Sequence, residues 1–124
     1  WYKDADLWWE HMTNETKSLI SGIDSQRASD YHYRVFWSKF NGQDKNNIHK
    51  YWRHRKGLIR LDEDDAHSLQ MEIISELADV QLEAEYNKSR EDMCDENGSF
   101  YEEYQDRFND IYDDIEERLL ENEL

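Results

Sequence analysis

The sequence contains few cysteines and glycines, no proline and no long apolar run, and each of these absences excludes a class of structure. Its single cysteine, Cys94, excludes an internal disulfide and a zinc site built from several cysteines. The absence of proline and the presence of only four glycines leave little material for the tight turns of hairpins and sandwiches. No apolar run reaches about 18 residues, so no membrane-spanning helix is predicted. These absences favour a helical protein.

Aromatic and charged residues are abundant instead. Of the 124 residues, 14% are aromatic, and 30 acidic against 15 basic side chains give a net charge of −15. Residues 1–60 carry eleven basic, seven acidic and eleven aromatic residues, whereas residues 61–124 carry four basic and 23 acidic ones. Since rings can form a core where aliphatic side chains are few, we predict a single helical domain over residues 1–124. It has a basic, aromatic-rich front half (1–60) and an acidic back half (61–124).

Apolar side chains recur at helical spacing along most of the chain, which predicts an all-α fold, a single bundle of about five helices. The first predicted helix begins at Asp4 or Asp6, ends near Gly22 and carries its apolar face on Trp8, Met12, Leu19 and Ile23. The second predicted helix buries Trp37 and ends at a C-cap pair, Asn41-Gly42. The third is predicted from a cap at Asp44 to Gly57.

Two longer helices are predicted in the acidic half. The fourth begins in the acidic run at 62–65, where carboxylates suit the helix dipole, and continues into the 90s. Ser99 and Glu102 have the spacing of a capping box, which predicts that a fifth helix begins at Ser99. This last helix turns Phe108 and Ile111 towards the core.

Basic residues alternate with rings near the end of the front half. We define a basic-aromatic patch as candidate partner-binding residues, namely Lys50, Trp52, Arg53, Arg55 and Lys56. Basic residues that alternate with aromatic residues can bind nucleic acid through phosphate contacts and stacking. A net charge of −15, however, repels a polyanion. We therefore expect no direct nucleic-acid binding and favour an acidic peptide, or the protein's own last helix, as the ligand.

Carboxylates recur four residues apart along the predicted last helix, and each like-charged pair costs a few tenths of a kcal/mol. We define the acidic face by its candidate partner-binding residues, Asp106, Asp110, Asp113 and Glu117. Solubility, or pairing with the basic front half, explains this face most simply, and a basic protein partner is the sharper hypothesis. Because spaced carboxylates can imitate phosphates, an alternative function is an acidic nucleic-acid mimic that inhibits a basic DNA-handling protein.

The fourth predicted helix carries a carboxylate stripe, namely Glu72, Glu76, Asp79 and Glu83. The stretch from Glu76 to Asp79 resembles half of the Mg²⁺ site of all-helical nucleotide pyrophosphohydrolases, which makes such an enzyme a second alternative. The upstream acidic pair that this site needs is absent, so we favour a solvated face. We assign no catalytic residue, no metal ligand and no cofactor, and predict a non-enzymatic module that binds protein partners.

Three helical segments have the order found in a known family. Trp8, Glu15 and Lys17 in WWEHMTNETKSL, then Trp52 in HKYWRHRK, then ELADVQLEAEYN resemble the PHIST (RESA-type) domain of exported malaria-parasite proteins. The resemblance implies a helical adaptor, exported into the host-cell cytosol, that docks cytoplasmic tails of surface adhesins or the membrane skeleton. Without it, a cytosolic protein is expected. If the four residues are merely structural, Trp8 and Trp52 belong to the core, and Glu15 and Lys17 are surface charges.

Overall fold

The computed structural model describes residues 2–24 and 26–121, which form seven α-helices and no β-strand. The helices are α1 (Tyr2–His11), α2 (Asn14–Ser21), α3 (Asp30–Ser38), α4 (Gly42–Arg55), α5 (Glu63–Tyr86), α6 (Arg90–Met93) and α7 (Glu102–Glu121). The all-α prediction is confirmed. The described residues contain more helices than the five predicted, because two of the predicted helices are interrupted.

The first predicted helix is wrong, because the chain leaves the helix after His11 and starts a second one. Thr13 provides the reason, since its side-chain oxygen accepts the Thr16 main-chain N–H at 3.3 Å and so caps α2. Gly22 ends α2 as expected, in a left-handed conformation (φ 75°) with its N–H bonded to the Ser18 carbonyl at 2.8 Å.

The pair Asn41-Gly42 does not end the second predicted helix, and that prediction is wrong too. It begins α4, because the Asn41 side-chain oxygen accepts the Asp44 main-chain N–H at 2.8 Å. Asp44 therefore lies inside the first turn of α4 and is not its cap. Asparagine suits both ends of a helix, and the direction of its hydrogen bond decides which end it caps.

In the acidic half, the predicted start of α5 is confirmed, but two other boundaries are wrong. The fourth helix does not continue into the 90s, because the chain turns left-handed at Asn87 (φ 52°). Ser99 forms no capping box, since its N–H donates at 3.1 Å to the Asp95 side chain in the turn before α7. That helix begins three residues later, at Glu102.

The core takes side chains from all seven helices, with α5 at its centre between α4 and α7. Trp37 and Ile111 are buried and Phe108 is partly buried against the core, as the periodicity predicted. α5 contributes most of the buried aliphatic residues, and they lie around much of its circumference, namely Leu69, Ile73, Ile74, Leu77, Ala78, Val80 and Leu82. Within the ranges given above, no helix combines the length and the apolar character needed to cross a membrane.

Candidate functional site

A tryptophan cluster joins α1, α3 and α4. The Trp9 and Trp37 rings stack with centroids 4.8 Å apart and planes within 5° of each other. Trp8 lies beside them, 5.4 Å from Trp52 and 5.1 Å from the stacked imidazole of His49. Trp9 and Trp37 are buried, whereas Trp8 and Trp52 are only half-buried at the edge of the core. Each such ring pair contributes roughly 0.5–1.5 kcal/mol beyond its buried area.

Residues of the basic-aromatic patch contact two different helices, α1 and α7. Trp52 packs on α1, and the Lys56 ammonium lies 5.8 Å from the centroid of its ring. Arg55 belongs elsewhere, because its Nη2 donates to the main-chain oxygen of Leu119 at 3.3 Å. A cation at this position complements the negative end of the α7 dipole. Arg55 thus contacts the protein's own last helix, one of the two ligands considered for this patch.

Three cations of the patch, Lys50, Arg53 and Lys56, form no ion pair with any residue in the described part of the chain. The ion pairs found there use other cations, namely Arg27, Lys45, Arg90, Arg107 and Arg118. Burial, and then the charge of Arg53, lower the pKa of His49. The patch is therefore electropositive in an acidic protein.

An exposed apolar side chain extends the basic-aromatic patch beyond α4. Leu58 is 66% exposed, and its main-chain N–H donates to the Arg53 carbonyl at 2.9 Å. The neighbouring atoms Trp52 Nε1 and Arg53 Nε are buried without a hydrogen-bond acceptor among residues 2–24 and 26–121. Sequence reasoning missed Leu58, although a leucine directly after a helix-ending glycine was a visible signal.

The acidic face lies on the solvent side of α7. All four of its residues are exposed, while Ile111, Ile115 and Leu119 on the opposite side of the helix are buried. The two arginines of α7 are engaged elsewhere, because Arg107 binds Glu85 of α5 at 2.6 and 2.7 Å and Arg118 binds Asp114 at 2.8 Å. The acidic face therefore presents four exposed carboxylates, and Arg107, which binds Glu85, also interacts electrostatically with Asp110.

A cavity of about 790 Å³, the α3–α7 cavity, separates α3 from α5 and α7. Val80, Ala84 and Ile111 form much of its apolar lining, and the acidic face reaches it through Asp110. Tyr31 on its α3 side is 67% exposed. Sequence reasoning missed this cavity, because the second predicted helix was interpreted only from its buried side.

A second cavity, of about 510 Å³ and here called the α1–α3 cavity, opens beside the tryptophan cluster. Lys17 lines it and is only 8% exposed, so the expectation of a surface charge is wrong for Lys17. Its Nζ lies 3.5 Å from the Glu10 main-chain oxygen and 6.0 Å from the ring centroids of Trp9 and Tyr33. Glu15, by contrast, is exposed as expected.

The carboxylate stripe of α5 is less solvated than expected. Burial, and then the charges of Asp44 and Asp79, raise the pKa of Glu76 to about 7. Burial likewise raises the pKa of Asp79, although Arg90 forms an ion pair with it at 2.5 Å. No three side chains of metal-binding type come together at a metal site in the part of the chain that the structure describes.

Comparison with known proteins found no matching family model, no matching curated protein and no matching solved structure. Function is therefore inferred from the surfaces and cavities of the chain itself.

Proposed function

We propose that the chain is a protein-interaction module, an adaptor of the kind that its resemblance to the PHIST domain implies. Its basic-aromatic patch binds an acidic segment of the partner. One observation carries this proposal: Lys50, Arg53 and Lys56 lack an ion pair among the described residues, although the chain has 30 acidic side chains. These cations follow one another at intervals of three residues, which makes them neighbours along the last turns of α4 and at its C-cap.

The chemistry of the patch fits a protein ligand. Arginine and tryptophan are the residues that most often dominate binding energy at protein interfaces. Trp52 is half-buried, so part of its ring is available, and the exposed side chain of Leu58 adds an apolar anchor next to Arg53. An acidic segment that also carries an apolar residue would satisfy both parts of this surface.

The net charge of −15 does not prevent binding of an acidic segment. At physiological ionic strength, charges separated by more than about 8 Å are largely screened, so the local cations outweigh the distant carboxylates. The binding is therefore expected to weaken with salt, mainly through a slower association rate.

A pair of peptides tests this proposal. One is a labelled 12-residue peptide of alternating Glu and Leu, and the other carries Gln at every Glu position. We expect the Glu peptide to bind and to shift amide signals at the end of α4, whereas the Gln peptide binds at least tenfold more weakly.

Matched charge reversals identify the surface. Arg53→Glu should lower the affinity for the Glu peptide at least tenfold. Arg27→Glu, at an exposed position outside the patch, should change this affinity less than twofold. Helical circular dichroism should be the same for both variants. An equal loss in Arg27→Glu, or amide shifts confined to another surface, would remove the proposal.

The acidic face supports a second candidate, the nucleic-acid mimic. Its four carboxylates are all exposed along a helix of 20 residues, a rod about 30 Å long. We expect salt-sensitive binding to a basic DNA-handling protein, competed by duplex DNA and weakened at least tenfold by the double change Asp110→Asn with Asp113→Asn. Binding that DNA does not compete would end this hypothesis, whereas the adaptor proposal would be unaffected.

A further inference from the structure

Asp6 is one of the carboxylates that line the α1–α3 cavity, and its contacts show how the cavity holds such a group. Asp6 Oδ1 accepts the Trp37 indole N–H at 2.7 Å and lies 3.0 Å from Lys45 Nζ. Although burial acts to raise it, the pKa of Asp6 is lowered overall by the hydrogen bonds from Trp37 and Lys45 and by the charge of Lys45. An indole N–H and an ammonium thus share one carboxylate oxygen.

Trp9 and Lys17 provide a second pair of the same two donor groups in this cavity. Trp9 is 4% exposed, and its indole N–H has no hydrogen-bond acceptor among the described residues. Lys17 is 8% exposed, and its single hydrogen bond there is a long one, 3.5 Å, to the main-chain oxygen of Glu10. Its Nζ lies 6.0 Å from the centre of the Trp9 ring, so the two groups are neighbours.

The buried ammonium of Lys17 has more donor capacity than the described chain satisfies. An ammonium has three N–H donors, and a buried charge is costly unless it is paired. Within residues 2–24 and 26–121, no carboxylate lies within 4.0 Å of Lys17. Glu10 and Asp30 also line the cavity, but both are exposed, as is Arg34.

We infer that the α1–α3 cavity is a binding site for a carboxylate, which Lys17 and the indole N–H of Trp9 hold as Lys45 and Trp37 hold Asp6. A volume of about 510 Å³ is within the range of small-ligand sites and accepts a small organic acid or an acidic side chain of a peptide. The site is independent of the proposed function, because no residue of the basic-aromatic patch lines this cavity.

Indole N–H signals in nitrogen-15 spectra give a direct readout. The probes are sodium acetate, acetamide as its neutral analogue and sodium chloride at the same ionic strength, and the change Trp9→Phe assigns the Trp9 signal. We expect acetate to shift the Trp9 indole signal saturably and to leave that of Trp37 nearly unchanged. Acetamide and chloride should not shift it saturably.

Two lysine variants and two capped peptides complete the test. Lys17→Met should weaken acetate binding at least tenfold, while Lys39→Met, the same charge change at an exposed lysine outside the cavity, should alter it less than twofold. Capped Gly-Asp-Gly should bind and Gly-Asn-Gly should not, and tighter binding of the peptide than of acetate would identify an acidic side chain as the ligand.

Several outcomes would overturn the inference. These are the absence of a saturable acetate shift, an equal shift by chloride or acetamide, and unchanged acetate affinity in Lys17→Met. If Lys17→Met does not fold, the comparison of acetate with acetamide on the unchanged protein decides the question. Because these probes do not involve α4 variants, the result is separate from the test of the basic-aromatic patch.

Discussion

Arg55 Nη2 donates to the main-chain oxygen of Leu119 at 3.3 Å, which joins the last turn of α4 to the last turn of α7. The contact links the basic half of the chain to the acidic half. It also explains how α7 is stabilised although acidic residues predominate along it, since a cation near the C-terminal end of a helix offsets its dipole.

We predict that Arg55→Met lowers the free energy of unfolding by about 1 kcal/mol, the typical contribution of one such hydrogen bond. Methionine keeps the aliphatic part of the side chain, so the loss reports mainly on the guanidinium. Lys56→Met removes a charge one residue later that lies over the Trp52 ring, and should cost less. Urea unfolding measures both, and an equal loss in the two variants would contradict the assigned role of Arg55.

Gly22 provides a second test, of packing against α5. Its φ of 75° favours glycine, and a Cβ there would overlap with Gln81 Nε2. That nitrogen donates to the Ser21 carbonyl at 2.7 Å, so a larger residue must also break this hydrogen bond. We predict that Gly22→Ala destabilises the protein by about 2 kcal/mol in urea unfolding.

Gly57 is the matched control, because it has the same φ of 75° but nothing within 4 Å of an added Cβ. Gly57→Ala therefore incurs only the backbone cost, about 1 kcal/mol. The difference between the losses of unfolding free energy in the two variants therefore measures the cost of the contact with Gln81. If both lose the same amount, Gln81 moves aside without cost and the packing argument is wrong.

The acidic start of α5 and most of its apolar stripe were predictable, but Ala84 at the end of that stripe is exposed and Ile74 outside it is buried. The first predicted helix was not predictable in the same way, because the chain leaves α1 after His11 and starts α2 after a cap at Thr13. The predicted stripe includes Trp8 and Leu19, which are half-buried, whereas the neighbouring residues Trp9 and Ile20 are buried. A side-chain hydrogen bond that caps the start of a new helix leaves no periodic signal.

The α1–α3 cavity was missed because its lining depends on how the helices pack. Residue type argues for an exposed lysine, and only the packing of three helices buries Lys17. Lys50 and Arg55, by contrast, were both recognised as candidates, but their separate environments depend on where α7 ends. Sequence patterns thus located the charged groups, while tertiary packing determined which of them are paired.

Asp6 gives a third prediction, at the junction of α1, α3 and α4. Asp6→Ala removes the acceptor for Trp37 and Lys45 and should destabilise the protein by about 2 kcal/mol at pH 7. Asp4→Ala, on the same helix but exposed, should cost less.

The pH dependence follows from the lowered pKa of Asp6. A carboxylate with a lowered pKa in the folded state stabilises the protein above its ordinary pKa of 3.8, and this contribution disappears as the pH falls below that value. The difference between the parent and Asp6→Ala should therefore shrink below pH 3.8 in urea unfolding. A constant difference across this range would show that the charge of Asp6 is not involved.

Glu76 gives the opposite dependence on pH. Burial, and then the charges of Asp44 and Asp79, raise its pKa from 4.5 to about 7, so the folded state binds the proton more tightly than the unfolded state. This stabilisation is fully present below pH 4.5 and is lost as the pH rises through about 7. We predict that the free energy of unfolding falls between pH 5 and pH 8, and that Glu76→Gln reduces the fall by about 1 kcal/mol, a value discounted for the partial exposure of this side chain.

Glu96→Gln, at an exposed turn position, is the control and should leave the pH dependence unchanged. If the free energies of unfolding of the parent and Glu76→Gln change in parallel with pH, Glu76 stays ionised in the folded protein over this range. A carboxyl with a raised pKa instead makes the two free energies approach each other towards low pH, where the protonated glutamate resembles glutamine.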